Sequence, residues 1–129
     1  MREREESAGV ILVVDDNDTN RELLSLFLTA HGYIVIEACN GLEAVKVATS
    51  NCPDLIIMDL SMPVMDGYGA VRLLRTVPEV CEVPVVAYSA HDTSTHRDHA
   101  MKIGFNEFLT KPIDFDHLDF VIDRFLSVA

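Results

Sequence analysis

VILVVDD, residues 10–16, is the stretch that decides the fold class of this chain. Its first five residues form a continuous apolar run rich in β-branched side chains, and Asp15 and Asp16 end that run. Such a run predicts a strand that is buried on both faces, as strands of parallel sheets are. The acidic end of this strand is then expected to face a ligand.

Outward from this strand, helix and strand patterns alternate along the chain. Apolar residues at helical spacing predict a helix over Asp18–Ala30, with Asp18 or Thr19 as its N-cap and His31-Gly32 as its end. The same criteria predict further strands at 33–37, 54–58, 84–88 and 105–109, and further helices at 41–50, 68–75, 91–103 and 114–126. Five strand–helix units predict a doubly wound α/β fold, a parallel sheet with helices on both faces.

The length of the chain indicates one domain, and its composition disfavours nucleic acid and membranes as binding partners. The 129 residues are assigned to a tail at 1–9 and one domain at 10–129. A net charge of −11 disfavours nucleic-acid binding, and Arg72, Arg75, Arg97 and Arg124 are predicted to be scattered surface charges. The apolar runs are too short for membrane insertion, and no secretory signal is apparent before them. The three cysteines lack metal-ligand spacing and are expected to be reduced thiols, which indicates a cytoplasmic protein.

Polar residues follow several of the predicted strands, at the edge where ligands bind in doubly wound sheets. They are Asp15 and Asp16 after the first strand, Asp59 after the third, Ser89 after the fourth and Lys111 just past the fifth. Two unit charges at about 4 Å repel by about 4 kcal/mol at an effective dielectric of 20, so three carboxylates require a proton or a cation. Carboxylate oxygens suit Mg²⁺, with Mn²⁺ as an alternative.

The remaining polar groups complement an incoming phosphoryl group. Lys111 offers an ammonium and Ser89 a hydroxyl donor. Phosphoryl transfer depends on positioning and charge stabilisation, so these groups suffice around a nucleophilic carboxylate. Asp59 lies between the other groups in strand order and is predicted to be the nucleophile.

The ordered set of motifs resembles the response-regulator receiver domain of two-component phosphorelays, over residues 10 to 128. The motifs are Asp15-Asp16 after VILVV, Asp59 in IIMDLSMPVMDG, Ser89 in VVAYSA and Lys111-Pro112 in FLTKPI. The resemblance implies a flavodoxin-like (βα)5 three-layer fold with strand order 2-1-3-4-5. It also implies a cytoplasmic phosphoprotein that accepts a phosphoryl group from a histidine kinase or a histidine phosphotransfer protein and passes the signal to a downstream protein.

The resemblance assigns a role to each site residue. Asp59 is the phosphoacceptor and binds Mg²⁺ together with Asp16 and the backbone carbonyl of Ser61, while Asp15 acts mainly through metal-bound water. Ser89 closes on the phosphoryl group, Lys111 pairs with it, and Phe108 is the switch aromatic, without the hydroxyl that many relatives carry there. Ser61 and His91 border the site, and Lys111-Pro112 is expected to be a cis peptide bond.

Other functions stay open at this point. The chain is expected to be a stand-alone receiver and a phosphoacceptor rather than an enzyme, but a domain of a hybrid kinase or larger regulator would have the same pattern. A pseudo-receiver that works without phosphorylation is a further alternative. A phosphatase with an aspartyl nucleophile is a remote one, because Asn20 interrupts the D-x-D-x-[TV] pattern that this class has after its first strand.

Overall fold

A computed structural model describes residues 9–90 and 94–126 of the chain. Strands and helices alternate throughout: β1 Val10–Val14, α1 Asp18–Ala30, β2 Ile34–Ala38, α2 Gly41–Asn51, β3 Leu55–Asp59, α3 Gly67–Leu74, β4 Val85–Ser89, α4 Ser94–Ile103, β5 Glu107–Thr110 and α5 Phe115–Leu126. Gly9, the last residue of the predicted tail, accepts a hydrogen bond at its carbonyl from Ile34 N at 2.9 Å. None of the helices within the described residues is long and apolar enough to cross a membrane.

The five strands form one parallel sheet in the order β2-β1-β3-β4-β5. The predicted doubly wound fold and its strand order are therefore confirmed. Side chains of a strand alternate between the two faces of its sheet, so β1 contributes to both apolar layers. Leu12 and Val14 pack with the inner faces of α2, α3 and α4, whereas Ile11 and Val13 pack with α1 and α5.

The strands end later than the apolar runs predict. Strands β2, β3, β4 and β5 each extend one residue beyond their predicted ends, so that Asp59 and Ser89 are the last residues of β3 and β4 instead of the first residues after them. Asp59 is opposite Tyr88 and Ser89 is opposite Thr110 in the ladder. The backbone continues to pair there because ladder hydrogen bonds do not depend on side-chain polarity.

The loop between β3 and α3 returns closely to the end of β3. Gly67 N donates to Leu60 O at 3.0 Å, and a Cβ on Gly67 would lie 2.6 Å from the carbonyl oxygen of Asp59. Only a residue without a side chain fits that approach. The Asp66 side chain then caps α3 by accepting from Gly69 N at 2.9 Å. The packing of Gly67 against this backbone holds Asp59 and Leu60 in place at the end of β3.

Arg75, predicted as a scattered surface charge, is instead half-buried at the end of α3. Its guanidinium donates to the carbonyl oxygens of Cys81, Val83 and Gly104 at 2.6–3.2 Å. It also donates to Asn106 Oδ1 at 2.8 Å, and the same oxygen accepts from Val85 N. The prediction of a surface charge rested on the acidic residues near Arg75 in the sequence. It was wrong because the partners of Arg75 are backbone carbonyl groups, which a sequence pattern does not show.

Candidate acidic phosphoacceptor site

The end of β1 carries one buried and one exposed carboxylate. Asp15 is 0% exposed, whereas Asp16 is exposed. Asp15 Oδ1 accepts from Asn17 N at 2.9 Å, and Asn17 in turn caps α1 by accepting from Asn20 N at 2.9 Å. The helix cap is thus Asn17, not the predicted Asp18 or Thr19. The α1 cap and the Asp15 orientation are linked through this one residue.

Asp59 ends the central strand β3 and is 3% exposed. Ser61 N donates to its Oδ1 at 3.1 Å, and Lys111 Nζ donates to its Oδ2 at 3.1 Å. Burial raises the pKa of Asp59 above its ordinary value, and the charge of Asp15 adds to this, while the two hydrogen bonds oppose it. The carboxylate therefore combines a low-dielectric position with two donors that hold its orientation.

Lys111 lies between the two buried carboxylates. Its backbone N donates to Ser89 O at 2.9 Å, which ties it to the end of β4. Its ammonium is 3.1 Å from Asp59 Oδ2 and 3.9 Å from Asp15 Oδ2, and its side chain is 25% exposed. The peptide bond to Pro112 is cis, as the resemblance implies. One cation thus faces two carboxylates, and it hydrogen-bonds Asp59.

Three carboxylates converge at this edge of the sheet. Asp15, Asp16 and Asp59 each offer an oxygen, and these atoms lie within 4.8 Å of one another. The ammonium of Lys111 offsets one of the three charges, so the group favours a further cation. Hard oxygen donors in an open, partly exposed arrangement fit Mg²⁺, which keeps several of its waters. Ser61, whose carbonyl the resemblance adds as a ligand, belongs to the same turn as Asp59.

The two predicted switch residues are both buried. Ser89 is 3% exposed at the end of β4, and Phe108 is 1% exposed in β5. The guanidinium of Arg97, on α4, lies 5.0 Å from the centroid of the Phe108 ring, and its Nη1 donates to Phe108 O at 3.2 Å. Arg97 thus covers the aromatic side chain in its inward position. His91, predicted to border the site, lies outside the described residues.

Tyr88 is a site residue that sequence reasoning missed. Its hydroxyl donates to Asp15 Oδ2, and Lys111 Nζ lies 4.9 Å from the centroid of its ring. Burial, followed by the bond to Asp15, raises the pKa of Tyr88, so the phenol is a neutral donor. Two signals could have found it: Tyr88 alternates with Ser89 on β4, and a buried tyrosine hydroxyl usually has a partner.

Comparisons with known proteins agree with this geometry. A family model described as "Response regulator receiver domain" matches residues 11–123. The chain is 34% identical to Protein PilH of Pseudomonas aeruginosa over 117 residues, covering 91% of this chain and 97% of PilH. It is 42% identical to Response regulator PleD of Caulobacter vibrioides over 104 residues, covering 81% of this chain but 23% of PleD.

A solved structure gives the same fold with a metal in place. It is the receiver domain of sensor histidine kinase PA1611 from Pseudomonas aeruginosa, described with a magnesium ion coordinated in its active site cleft. It is 32% identical to this chain, has a TM-score of 0.86, and the match covers 93% of this chain and 98% of that one. Sequence, fold and the grouping of acidic residues thus lead to one conclusion: this chain belongs to the response regulator receiver domain family of two-component signalling.

Proposed function

We propose that this chain accepts a phosphoryl group on Asp59 from a histidine kinase or a histidine phosphotransfer protein, in a reaction that requires Mg²⁺. The observation that carries the proposal is that Lys111 Nζ lies 3.1 Å from Asp59 Oδ2, and that Asp59 belongs to a group of three carboxylates whose oxygens lie within 4.8 Å of one another. A buried nucleophile, a fixed cation and a cation-binding acidic group are the parts that phosphoryl transfer needs.

In the proposed step, a carboxylate oxygen of Asp59 forms a bond to phosphorus while the bond between phosphorus and the donor's imidazole nitrogen breaks. The nitrogen keeps the electron pair. Lys111 pairs with the phosphoryl oxygens as the charge of the product develops next to Asp59. The chain acts here as an acceptor that assists its own modification, and not as an enzyme with a separate substrate.

Mg²⁺ would be held by Asp16, Asp59 and the carbonyl of Ser61, with Asp15 acting through water, and would supply positive charge beside the phosphoryl oxygens. The magnesium ion in the PA1611 receiver domain supports this assignment. Mn²⁺ offers the same ligand chemistry and is expected to substitute for it.

A phosphoryl group on Asp59 would give the hydroxyl of Ser89 a charged acceptor and so bias the surface formed by α4 and β5. Phe108 lacks a hydroxyl, so its part in the switch rests on packing between the sheet and Arg97. A downstream protein can read the change only by binding the two states with different affinity. The stand-alone arrangement stays a prediction, because the relatives include a longer regulator as well as one of similar length. The cytoplasmic location also stays a prediction.

The test is to incubate the protein with Mg²⁺ and acetyl phosphate and to measure the intact mass. We expect a labile gain of one phosphoryl group that disappears in Asp59→Asn and in EDTA. Asp98→Asn, an exposed change on α4, is the matched control and is expected to gain the same mass as the wild type. A folded wild-type protein that gains no mass with acetyl phosphate or with a phosphorylated histidine donor would contradict the proposal and favour a pseudo-receiver.

A further inference from the structure

Tyr88 occupies a position from which it can influence the site without belonging to the acceptor set. It is opposite Asp59 in the ladder between β3 and β4, and its side chain lies on the sheet face that packs with α1 and α5. Both Tyr88 and Asp15 are buried, and the phenol hydroxyl donates to Asp15 Oδ2. This hydrogen bond therefore joins β4 to the end of β1 inside the protein.

The hydrogen bonds of the Asp15 carboxylate show what the hydroxyl of Tyr88 contributes to the site. Asp15 Oδ1 accepts from Asn17 N at 2.9 Å, and Oδ2 accepts from Tyr88. The ammonium of Lys111 is 3.9 Å from that Oδ2, beyond hydrogen-bonding distance, but 3.1 Å from Asp59. Without the phenol, the nearest donor to Oδ2 in the described contacts would be Lys111. A neutral donor thus satisfies Asp15 Oδ2 and leaves the ammonium of Lys111 to Asp59.

The ring of Tyr88 also affects Lys111. The ammonium lies 4.9 Å from the ring centroid, within the range of a cation–π contact. The face of the ring supports Lys111 and its hydroxyl orients Asp15. One side chain consequently contacts both Asp15 and Lys111.

We propose that Tyr88 is a positioning residue of the acidic site: its hydroxyl fixes the Asp15 carboxylate for binding a hydrated divalent cation and keeps Lys111 directed at Asp59. The inference rests on the proposed function, because it assigns Tyr88 a part in the same site. Partners that orient the groups around a metal are worth about 10–100-fold in metal affinity. The loss of this one hydroxyl is accordingly expected to weaken cation binding.

Tyr88→Phe is the sharpest variant, since it removes the hydroxyl and keeps the ring. The Mg²⁺ dissociation constant is obtained from the rise of the thermal unfolding midpoint with MgCl₂ concentration. We expect the dissociation constant of Tyr88→Phe to be about tenfold larger than that of the wild type. Tyr33→Phe, a half-buried tyrosine of the same apolar layer, and Ile57→Val, a small loss of packing there, are controls expected to leave it within about twofold.

A second measurement, made without metal, tests whether the hydroxyl of Tyr88 acts through Asp15. In EDTA, Tyr88→Phe should lower the unfolding midpoint of the wild type, but by less than half as much in an Asp15→Ala background, because each of the two changes alone removes the same hydrogen bond. Equal losses in both backgrounds would overturn the proposal. A dissociation constant for Tyr88→Phe that matches the wild type would overturn it as well.

The acetyl phosphate assay separates this inference from the proposed function. A wild-type chain that gains a phosphoryl group while Tyr88→Phe behaves as its controls contradicts the role of Tyr88 alone. A wild-type chain that binds Mg²⁺ but gains no mass contradicts the acceptor function alone. A wild-type chain that shows no Mg²⁺-dependent midpoint overturns the inference, and the mass assay then reports on the acceptor function by itself.

Discussion

Asp59 is a charged residue that the fold buries. Burial raises its pKa, so folding penalises the charged form relative to the neutral form. A raised folded-state pKa gives stability that is present below the unfolded-state pKa of about 3.9 and is lost as pH rises through the folded-state value. Asn resembles the neutral form at every pH. In EDTA, Asp59→Asn should therefore raise the free energy of unfolding at pH 7.

Measurements of stability at several pH values test the prediction for Asp59→Asn. The stability gain of Asp59→Asn, measured by urea denaturation, should shrink toward zero as the pH falls and the wild-type carboxylate becomes protonated. Asp98→Asn, whose carboxylate is exposed, should show no such trend. A constant gain between acidic and neutral pH would show that packing, and not the charge of Asp59, is responsible.

Val64, in the loop after β3, has a backbone conformation that disfavours its side chain. Its φ is +70°, it is 76% exposed, and Met65 N donates to Pro63 O across it at 2.8 Å, as in a γ-turn with positive φ. This turn is strained for a β-branched residue. Because strain of about 1–3 kcal/mol outweighs the entropy cost of glycine, about 1 kcal/mol or less, Val64→Gly should stabilise the protein by roughly 1 kcal/mol.

Urea denaturation in EDTA measures the effect of Val64→Gly. Glu79→Gly is the control: Glu79 is exposed in a turn and is not among the described non-glycine residues with positive φ, so this change should lower stability. If both glycine variants lowered stability equally, the strain assigned to Val64 would be absent. The sequence does not reveal this strain, because φ at a loop position depends on how the loop returns to α3.

Within the residues that the structure describes, the sequence predicts the kind and order of all ten secondary-structure elements but places their ends less well. Apolar runs mark the strands, yet Ala38, Asp59 and Ser89 continue the ladders beyond those runs. The cap of α1 was placed too late because Asp18, Thr19 and Asn17 are all good capping residues, and only the path of the chain selects among them. Element ends are set by backbone geometry, which side-chain patterns report indirectly.

Arg75 connects three elements at the far end of α3. Its guanidinium satisfies the carbonyl oxygens of Cys81 and Val83 before β4 and of Gly104 after α4. Arg75→Met should lower the free energy of unfolding by about 2–3 kcal/mol, since these partly buried acceptors lose their donors. Arg75→Lys should recover less than half of that loss, because an ammonium cannot span the same acceptors.

Chemical denaturation with a matched variant checks the role of Arg75. Arg72 is exposed on the same helix, and Arg72→Met should change stability by no more than about 0.5 kcal/mol. Similar losses for both methionine variants would mean that helix propensity or net charge, and not the carbonyl contacts, accounts for the effect. The mass gain with acetyl phosphate should persist in both, since Arg75 lies outside the acidic site.

At the scale of the whole molecule, the topology explains why the site could be predicted before its contacts were known. The order β2-β1-β3-β4-β5 puts β3 between β1 and β4 and brings the carboxyl ends of the strands to one edge. This strand order brings together the side chains of Asp15, Asp59 and Lys111. The role of Tyr88 could not be predicted in this way, because it depends on which buried hydroxyl reaches which carboxylate.

The net charge of the whole chain, −11, makes every cation stabilising to some degree, so specific Mg²⁺ binding has to be separated from screening. One site that binds only the folded state stabilises by about 1.4 kcal/mol for each tenfold rise in Mg²⁺ above its dissociation constant. The thermal midpoint should therefore keep rising with the logarithm of MgCl₂, at ionic strength held constant with NaCl. Asp16→Asn should flatten this rise, whereas Asp98→Asn should not. A response to MgCl₂ no greater than that to NaCl would mean that the three carboxylates share only the general field of an acidic protein.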